Sequence, residues 1–260
     1  MLLAYDSRLR NRDRQRSSTE NWLTKAYLLL GDYQKVIEVA EKYPFPSIMD
    51  MTAQNHLFAL AKLQQYDALT PTIEKYNKMG VYGRGMQKLP PFRLYNTLCN
   101  YLKILGQKDL QKQYAQQLME LVQNEKKEEN YLLEMADAAI YLEDWEKAMG
   151  YLEQYQSQVD ISGDFEVLSK LGVVYVQLRE TKKVNELLAA FDTPKGEKKH
   201  RLYGKARILA ALGKKEAALE ALQTAFQLGR GFAWDNYHLD SFLTPLSDYP
   251  PFVKFVKPKG

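Results

Sequence analysis

The chain has 260 residues, 45% apolar and 26% charged, with 14 Gly and 10 Pro against 18 Tyr and 10 Phe. That balance excludes an intrinsically disordered chain and favours long helices over a turn-rich sheet protein. A single cysteine, Cys99, excludes an internal disulfide or a cysteine-built metal site, and with three histidines a zinc site is a poor fit.

The net charge of +4 is uneven: residues 1–130 carry 19 Lys/Arg against 14 Asp/Glu, and residues 131–260 carry 17 against 18. Much of the excess lies in a basic lead-in, residues 1–17, where Arg8, Arg10, Arg12, Arg14 and Arg16 alternate. Such a run attracts phosphate or an acidic surface by long-range electrostatics. Arginines at every second position, however, point around a helix instead of forming one stripe. A solvated lead-in is the favoured reading, and nucleic-acid association through these arginines is the alternative. The opening MLLAYDSRLR has no apolar stretch of signal-peptide length, and no uncharged run approaches 18 residues. The expectation is a cytoplasmic protein without membrane insertion.

From residue 18 onward one local phrase returns: an apolar helical stretch, a short polar or glycine break, and a second amphipathic stretch. It appears as AYLLLGDYQKVIEVAEKY, LAKLQQYDALTPTIEKY, YLKILGQKDLQKQYAQQL, AIYLEDWEKAMGYLEQY, YVQLRETKKVNELLAAF and ILAALGKKEAALEALQTAF. The residues just after each break are Tyr33, Tyr66, Lys108, Trp145, Thr181 and Lys215, spaced 33, 42, 37, 36 and 34 apart. The long interval contains residues 79–91, rich in Gly and Pro. Within each phrase, apolar positions recur three and four apart, as in Leu168, Leu171, Gly172 and Tyr175, then Val184, Leu187, Leu188 and Phe191. This is helical periodicity, and no strands are expected. Gly31, Gly106 and Gly213 mark first-helix ends, where a left-handed C-cap suits glycine. Pro44, Pro46, Pro90, Pro91 and Pro194 follow second helices. Helices joined by so few residues pack antiparallel, and one such hairpin cannot cover its own apolar face. The predicted fold is therefore all-α, an α-solenoid of about six antiparallel hairpins over residues 18–228. A C-terminal cap, residues 229–260, would cover the sixth hairpin with Phe242, Leu246, Phe252, Val253, Phe255 and Val256.

Period and pattern resemble the tetratricopeptide repeat, W-x2-L-G-x2-Y followed by A-x3-F. The best copy is Leu168-x2-Leu171-Gly172-x2-Tyr175 with Val184, Leu188 and Phe191; the sixth has Leu202, Ala206, Leu209, Ala218, Leu222 and Ala225. The first copy has Glu20 and Thr24 in the Trp and Gly slots, and the second departs most. The tail is similar to the segment that closes bacterial arrays of this type, which often follow a kinase, cyclase or DNA-binding domain. The resemblance implies that each first helix lines a concave groove holding a protein or peptide. The implied groove residues are Asn21, Lys25, Arg93, Asn96, Asn100, Lys103, Asp137, Tyr203 and Arg207, with Ser169, Val173, Gln177 and His200 beside them. Asn pairs with peptide amides and Lys or Arg neutralises carboxylates, so an acidic or C-terminal peptide would suit this groove.

No catalytic constellation emerges. Gly80-x-x-Gly83-x-Gly85 has the wrong order for a dinucleotide fingerprint, and the Gly-Lys pairs at 204–205 and 213–214 lack the rest of a phosphate loop. His56, His200 and His238 lie apart from one another, Cys99 reads as a buried structural thiol, and Glu128, Glu129, Asp235 and Asp240 read as caps or solvated loop acids. The expectation is a binding module with no enzymatic activity, cofactor or metal. Its alternative is a module that senses a peptide or small ligand and regulates a larger signalling protein.

Overall fold

The structure, a computed structural model, describes residues 19–42, 48–83, 87–124, 131–193, 196–229 and 237–257. The described residues are all-α apart from one two-residue strand pair, and the chain divides into two compact units, residues 1–106 and 107–260. The first unit contains α1 (residues 19–30), α2 (Tyr33–Glu41), β1 (Ile48–Met49), α3 (Asp50–Lys62), α4 (Leu69–Met79), β2 (Val81–Tyr82) and α5 (Phe92–Ile104). The second contains α6 (Lys108–Asn124), α7 (Tyr131–Tyr141), α8 (Trp145–Gln158), α9 (Phe165–Gln177), α10 (Thr181–Phe191), α11 (Lys198–Ala211), α12 (Lys215–Gln227) and, after a 3-10 turn at Ser241–Leu246, α13 (Pro250–Val256).

The six breaks share one backbone geometry. Gly31, Gln64, Gly106, Glu143, Arg179 and Gly213, each two residues before the marker position, all have φ between +59° and +75°. Each N–H bonds to the carbonyl three residues back. At all but Gly106, the next residue's N–H reaches back five residues, as from Asp32 to Tyr27 and from Lys214 to Leu209, both 2.9 Å. These paired bonds satisfy the last carbonyls of the first helix and reverse the chain. Tyr33, Lys108, Trp145, Thr181 and Lys215 then open the second helices, while Tyr66 opens a 3-10 turn leading into α4. Asp32 and Asp144 cap their helices by accepting from the Lys35 and Lys147 N–H groups, which satisfies an otherwise orphaned donor.

In the first unit α3 is the central element, packed against α2, α4, α5 and both strands, and nine of its 13 residues are buried. Leu57, Leu60, Leu69, Ile73, Leu94, Leu98 and Leu102 are fully enclosed, with Phe58 edge-on to Tyr101 at 5.1 Å. The glycine-rich stretch 79–91 carries β2, which pairs in parallel with β1, Ile48 opposite Val81 and Met49 opposite Tyr82. Gly80, at φ +85°, makes the turn out of α4 that this pairing requires. Residues 84–86, Pro44, Pro46 and Pro194 lie outside the described residues.

In the second unit α6 to α12 each pack on a chain neighbour, and α9 also packs on α11. The tail covers the α11–α12 pair: Tyr237, Leu243, Leu246, Phe252 and Val256 are buried against Tyr203, Leu209, Ala218 and Leu222. Of the residues expected to form this cover, Leu246, Phe252 and Val256 are buried and Phe255 is partly so. Val253 is 46% exposed, and the Phe242 ring instead faces the Arg207 guanidinium. No helix among the described residues is long and apolar enough to cross a membrane.

Candidate functional site

A connected set of polar side chains lies along α7, α9, α11 and the turn at Ser241–Leu246. Two glycines let α9 approach α11. A Cβ on Gly172 would stand 2.3 Å from the Ile208 Cδ1, and one on Gly204 would stand 2.6 Å from the Phe191 ring and 3.0 Å from the Phe165 carbonyl oxygen. Asp164 caps α9, accepting from the Glu166 and Val167 N–H groups at 3.1 Å each, and so fixes where Glu166 begins the helix.

Tyr203 and Arg207, four apart on α11, share one helix face. Arg207 is 8% exposed. Its Nε donates to the Asp240 Oδ2 at 2.7 Å, its Nη1 donates to the Ser169 Oγ at 3.1 Å, and Nη1 pairs with the Glu166 Oε2 at 2.7 Å. The Tyr203 hydroxyl donates to the same Asp240 oxygen at 2.7 Å, and the Tyr203 and Phe242 rings flank the guanidinium carbon at 5.1 and 5.2 Å. Burial acts against the charge of Arg207, but the Asp240 and Glu166 carboxylates outweigh it and hold the guanidinium well above its ordinary range. Such a buried pair is weak as a net stabiliser and strong as a positional constraint, because removing either partner strands the other charge.

A second pair precedes it. The Lys170 Nζ lies 2.8 and 2.9 Å from the two carboxylate oxygens of Asp137. Burial again opposes the charge, and Asp137 together with Glu166 keeps the lysine above its ordinary range. Asp137–Lys170 and Arg207–Asp240 thus form two opposite-charge pairs, one joining α7 to α9 and the other joining α11 to the turn after it.

Beside Arg207 a cleft of about 520 Å³ opens between the starts of α9 and α11. Gly163, Asp164, Phe165 and Glu166 form one wall; Gly196, Glu197, His200, Tyr203, Gly204 and Arg207 form the other. Glu197 is held by Lys199 at 2.7 Å and lies 3.5 Å from the His200 ring.

The structure brings together Tyr203, Arg207, Ser169 and His200, with Asp137 joined to them through Lys170. Sequence reasoning missed Lys170, Glu166 and Asp240 as partners, although Lys170 follows Asp137 by 33 residues and Asp240 follows Arg207 by 33. Opposite charges one period apart were the available signal. Asp240 does act as a cap, accepting from the Phe242 N–H at 2.9 Å, while its other oxygen serves α11.

In the first unit, Asn21 is buried and its amide oxygen accepts from the Thr52 hydroxyl. Thr24 receives the Asn55 amide at 3.1 Å, completing a polar tie between α1 and α3. Asn96 is also buried, whereas Lys25, Arg93, Asn100 and Lys103 are half-buried, with Arg93 3.8 Å from the Asp50 carboxylate. His56 is buried with its Nδ1 2.5 Å from the Tyr76 hydroxyl, His238 Nε2 lies 2.9 Å from the Val256 carbonyl oxygen, and Cys99 is fully buried. Among the described residues no group of three or more His, Cys, Asp or Glu is placed to hold a metal ion. The arginines at 8–16, Glu128, Glu129 and Asp235 lie outside the described residues. The chain matches no family model, and no curated protein matches it.

Proposed function

We propose that the chain is a non-enzymatic recognition module of tetratricopeptide type, a solenoid of helix hairpins whose first helices hold a segment of a partner protein. One observation carries this reading: side chains on successive first helices pair at close to the repeat period. The steps are Asn21 to Thr52 and Thr24 to Asn55, both 31 residues, Asp137 to Lys170, 33, and Ser169 to Arg207, 38, and the tail continues them from Arg207 to Asp240, 33. A unit that pairs with its neighbour about one period away is the building block of a stacked array, and such arrays work through the surface their first helices share. The six left-handed breaks and the tail that buries the last pair support the same reading.

The test is site-specific crosslinking in cells of the source. A photoreactive residue at His200, on the cleft, is compared with one at Glu186, exposed on the second helix α10. The expected result is a defined crosslinked protein from position 200 and none from 186. No adduct at 200, or equal adducts at both, discards the reading. A second reading, a module sensing a small ligand, is favoured by the cleft's volume of about 520 Å³, within the range of small-molecule sites. Thermal stabilisation by fractions of a small-molecule extract distinguishes it.

A further inference from the structure

Helix α1 carries its polar side inward. Asn21, Thr24 and Leu28 are buried, and two polar ties, Asn21 with Thr52 and Thr24 with Asn55, fasten this side to α3. The exposed positions of α1 are Thr19, Trp22, Leu23, Ala26, Leu29 and Leu30, and none of them is charged. Trp22 is 63% exposed and Leu30 78%, with Leu23 at 40% and Leu29 at 43%. At about 100° per residue, the five apolar members from Trp22 to Leu30 fall within an arc of about 120°, opposite the buried stripe. Lys25 and Tyr27 flank the arc at half-buried positions. Single exposed leucines need no explanation, but a continuous apolar stripe on the outer side of a helix marks a contact surface.

The order of the stripe selects its occupant. Trp22 and Leu23 stand four and three residues before Ala26, and Leu29 and Leu30 stand three and four after it, so the apolar positions read the same in both directions. A surface with that symmetry is complementary to itself under a two-fold rotation. Two such helices laid antiparallel bring Trp22 and Leu23 of one copy beside Leu29 and Leu30 of the partner subunit. The two Ala26 methyls meet at the crossing, where a small side chain lets the helices approach. Antiparallel pairing also sets the N-terminal end of each helix dipole against the C-terminal end of the other, which is favourable. The four large side chains offer on the order of 400 Å² of apolar surface per copy. Such a pair buries less than about 1,200 Å² in total, the range of weak, reversible association. We propose that α1 is a self-association surface through which two copies of this chain form a reversible two-fold dimer. The proposal goes beyond the recognition reading above and does not depend on it.

The test is sedimentation equilibrium of the full chain from about 1 to 300 μM, where the mass is expected to rise from one copy to two and no further. Leu23→Glu with Leu30→Glu, on side chains exposed in the single copy, is expected to leave the melting temperature at low concentration unchanged. The same variant is expected to weaken pairing about tenfold or more, because dimerisation would bury unpaired carboxylates. Ala26→Cys reads the geometry separately: mild oxidation is expected to join two copies through this position, and not through Gln34→Cys, exposed on α2. The native Cys99 is buried and leaves this readout clear. A chain that stays monomeric throughout, growth beyond two copies, pairing unchanged in the glutamate variant, or crosslinking no faster at 26 than at 34 overturns the proposal. A monomer whose glutamate variant melts early would show that the chain itself covers the stripe, and that result overturns it as well.

Discussion

Single backbone positions set the turns between helices. Three of the six left-handed positions are glycines, and the others are Gln64, Glu143 and Arg179, at φ near +60°. A side chain there crowds its own backbone, at a cost of roughly 1 kcal/mol. Gln64→Gly is therefore expected to raise unfolding free energy by about 0.5–1 kcal/mol, read from urea melts. Gly213→Ala is expected to lower it by about 1 kcal/mol, since a Cβ there meets no atom within 4 Å and only the backbone strain acts. His56 makes a second prediction. Burial, followed by the Lys75 charge, pushes its pKa down to about 4 from 6.5. The unfolded chain therefore binds the extra proton between those values. The stabilisation is complete above pH 6.5 and is lost as pH falls toward 4, on the order of 2–3 kcal/mol in all. Denaturant melts from pH 7 to 4 should show that slope, and His56→Gln should remove it.

Between elements, contact depends on small residues at the right turn. Gly172 lies where α9 meets Ile208 of α11, and a methyl there would stand 2.3 and 2.7 Å from the Ile208 Cδ1 and Cγ1. Alanine gains up to about 1 kcal/mol of helix propensity, but overpacking a buried contact costs about 1–3 kcal/mol, so overpacking wins. Gly172→Ala is expected to destabilise by about 1 kcal/mol, and Ile208→Val added to it to recover part of the loss. Thermal melts of the four-member cycle check the coupling. The sequence made this contact partly legible: Gly172 occupies the small slot of the best repeat copy, whereas its partner, 36 positions later, is one of many apolar residues. The helices and their breaks were legible because they depend on local spacing and on turn chemistry. The β1–β2 pair was not, since two residues carry no periodicity and their pairing is set by α3 and α4 holding the two segments side by side.

At the scale of the whole molecule, the two opposite-charge pairs and the tail cover decide how the second unit is completed. Asp240 brings the buried one of the two carboxylates that hold Arg207, so Asp240→Ala leaves a buried cation with only the half-exposed Glu166 and is expected to cost up to about 3–5 kcal/mol. Replacing both, as Arg207→Met with Asp240→Leu, is expected to be far milder than the sum of the single changes. A loss in the double variant equal to the sum of the two single losses would show that the pair does not act as a unit. Of the groove residues read from the repeat resemblance, Asn21 and Asn96 are buried, and Asp137, Tyr203 and Arg207 are each tied to a partner. By itself the sequence determined the helices, their breaks and the spacing between them, because these follow from periodicity and from backbone sterics within a few residues. Tertiary structure alone decided which polar side chains turn inward to fasten neighbouring elements and where the cleft opens. A charge's partner and its burial depend on what packs thirty or more residues away, and no local pattern encodes that distance.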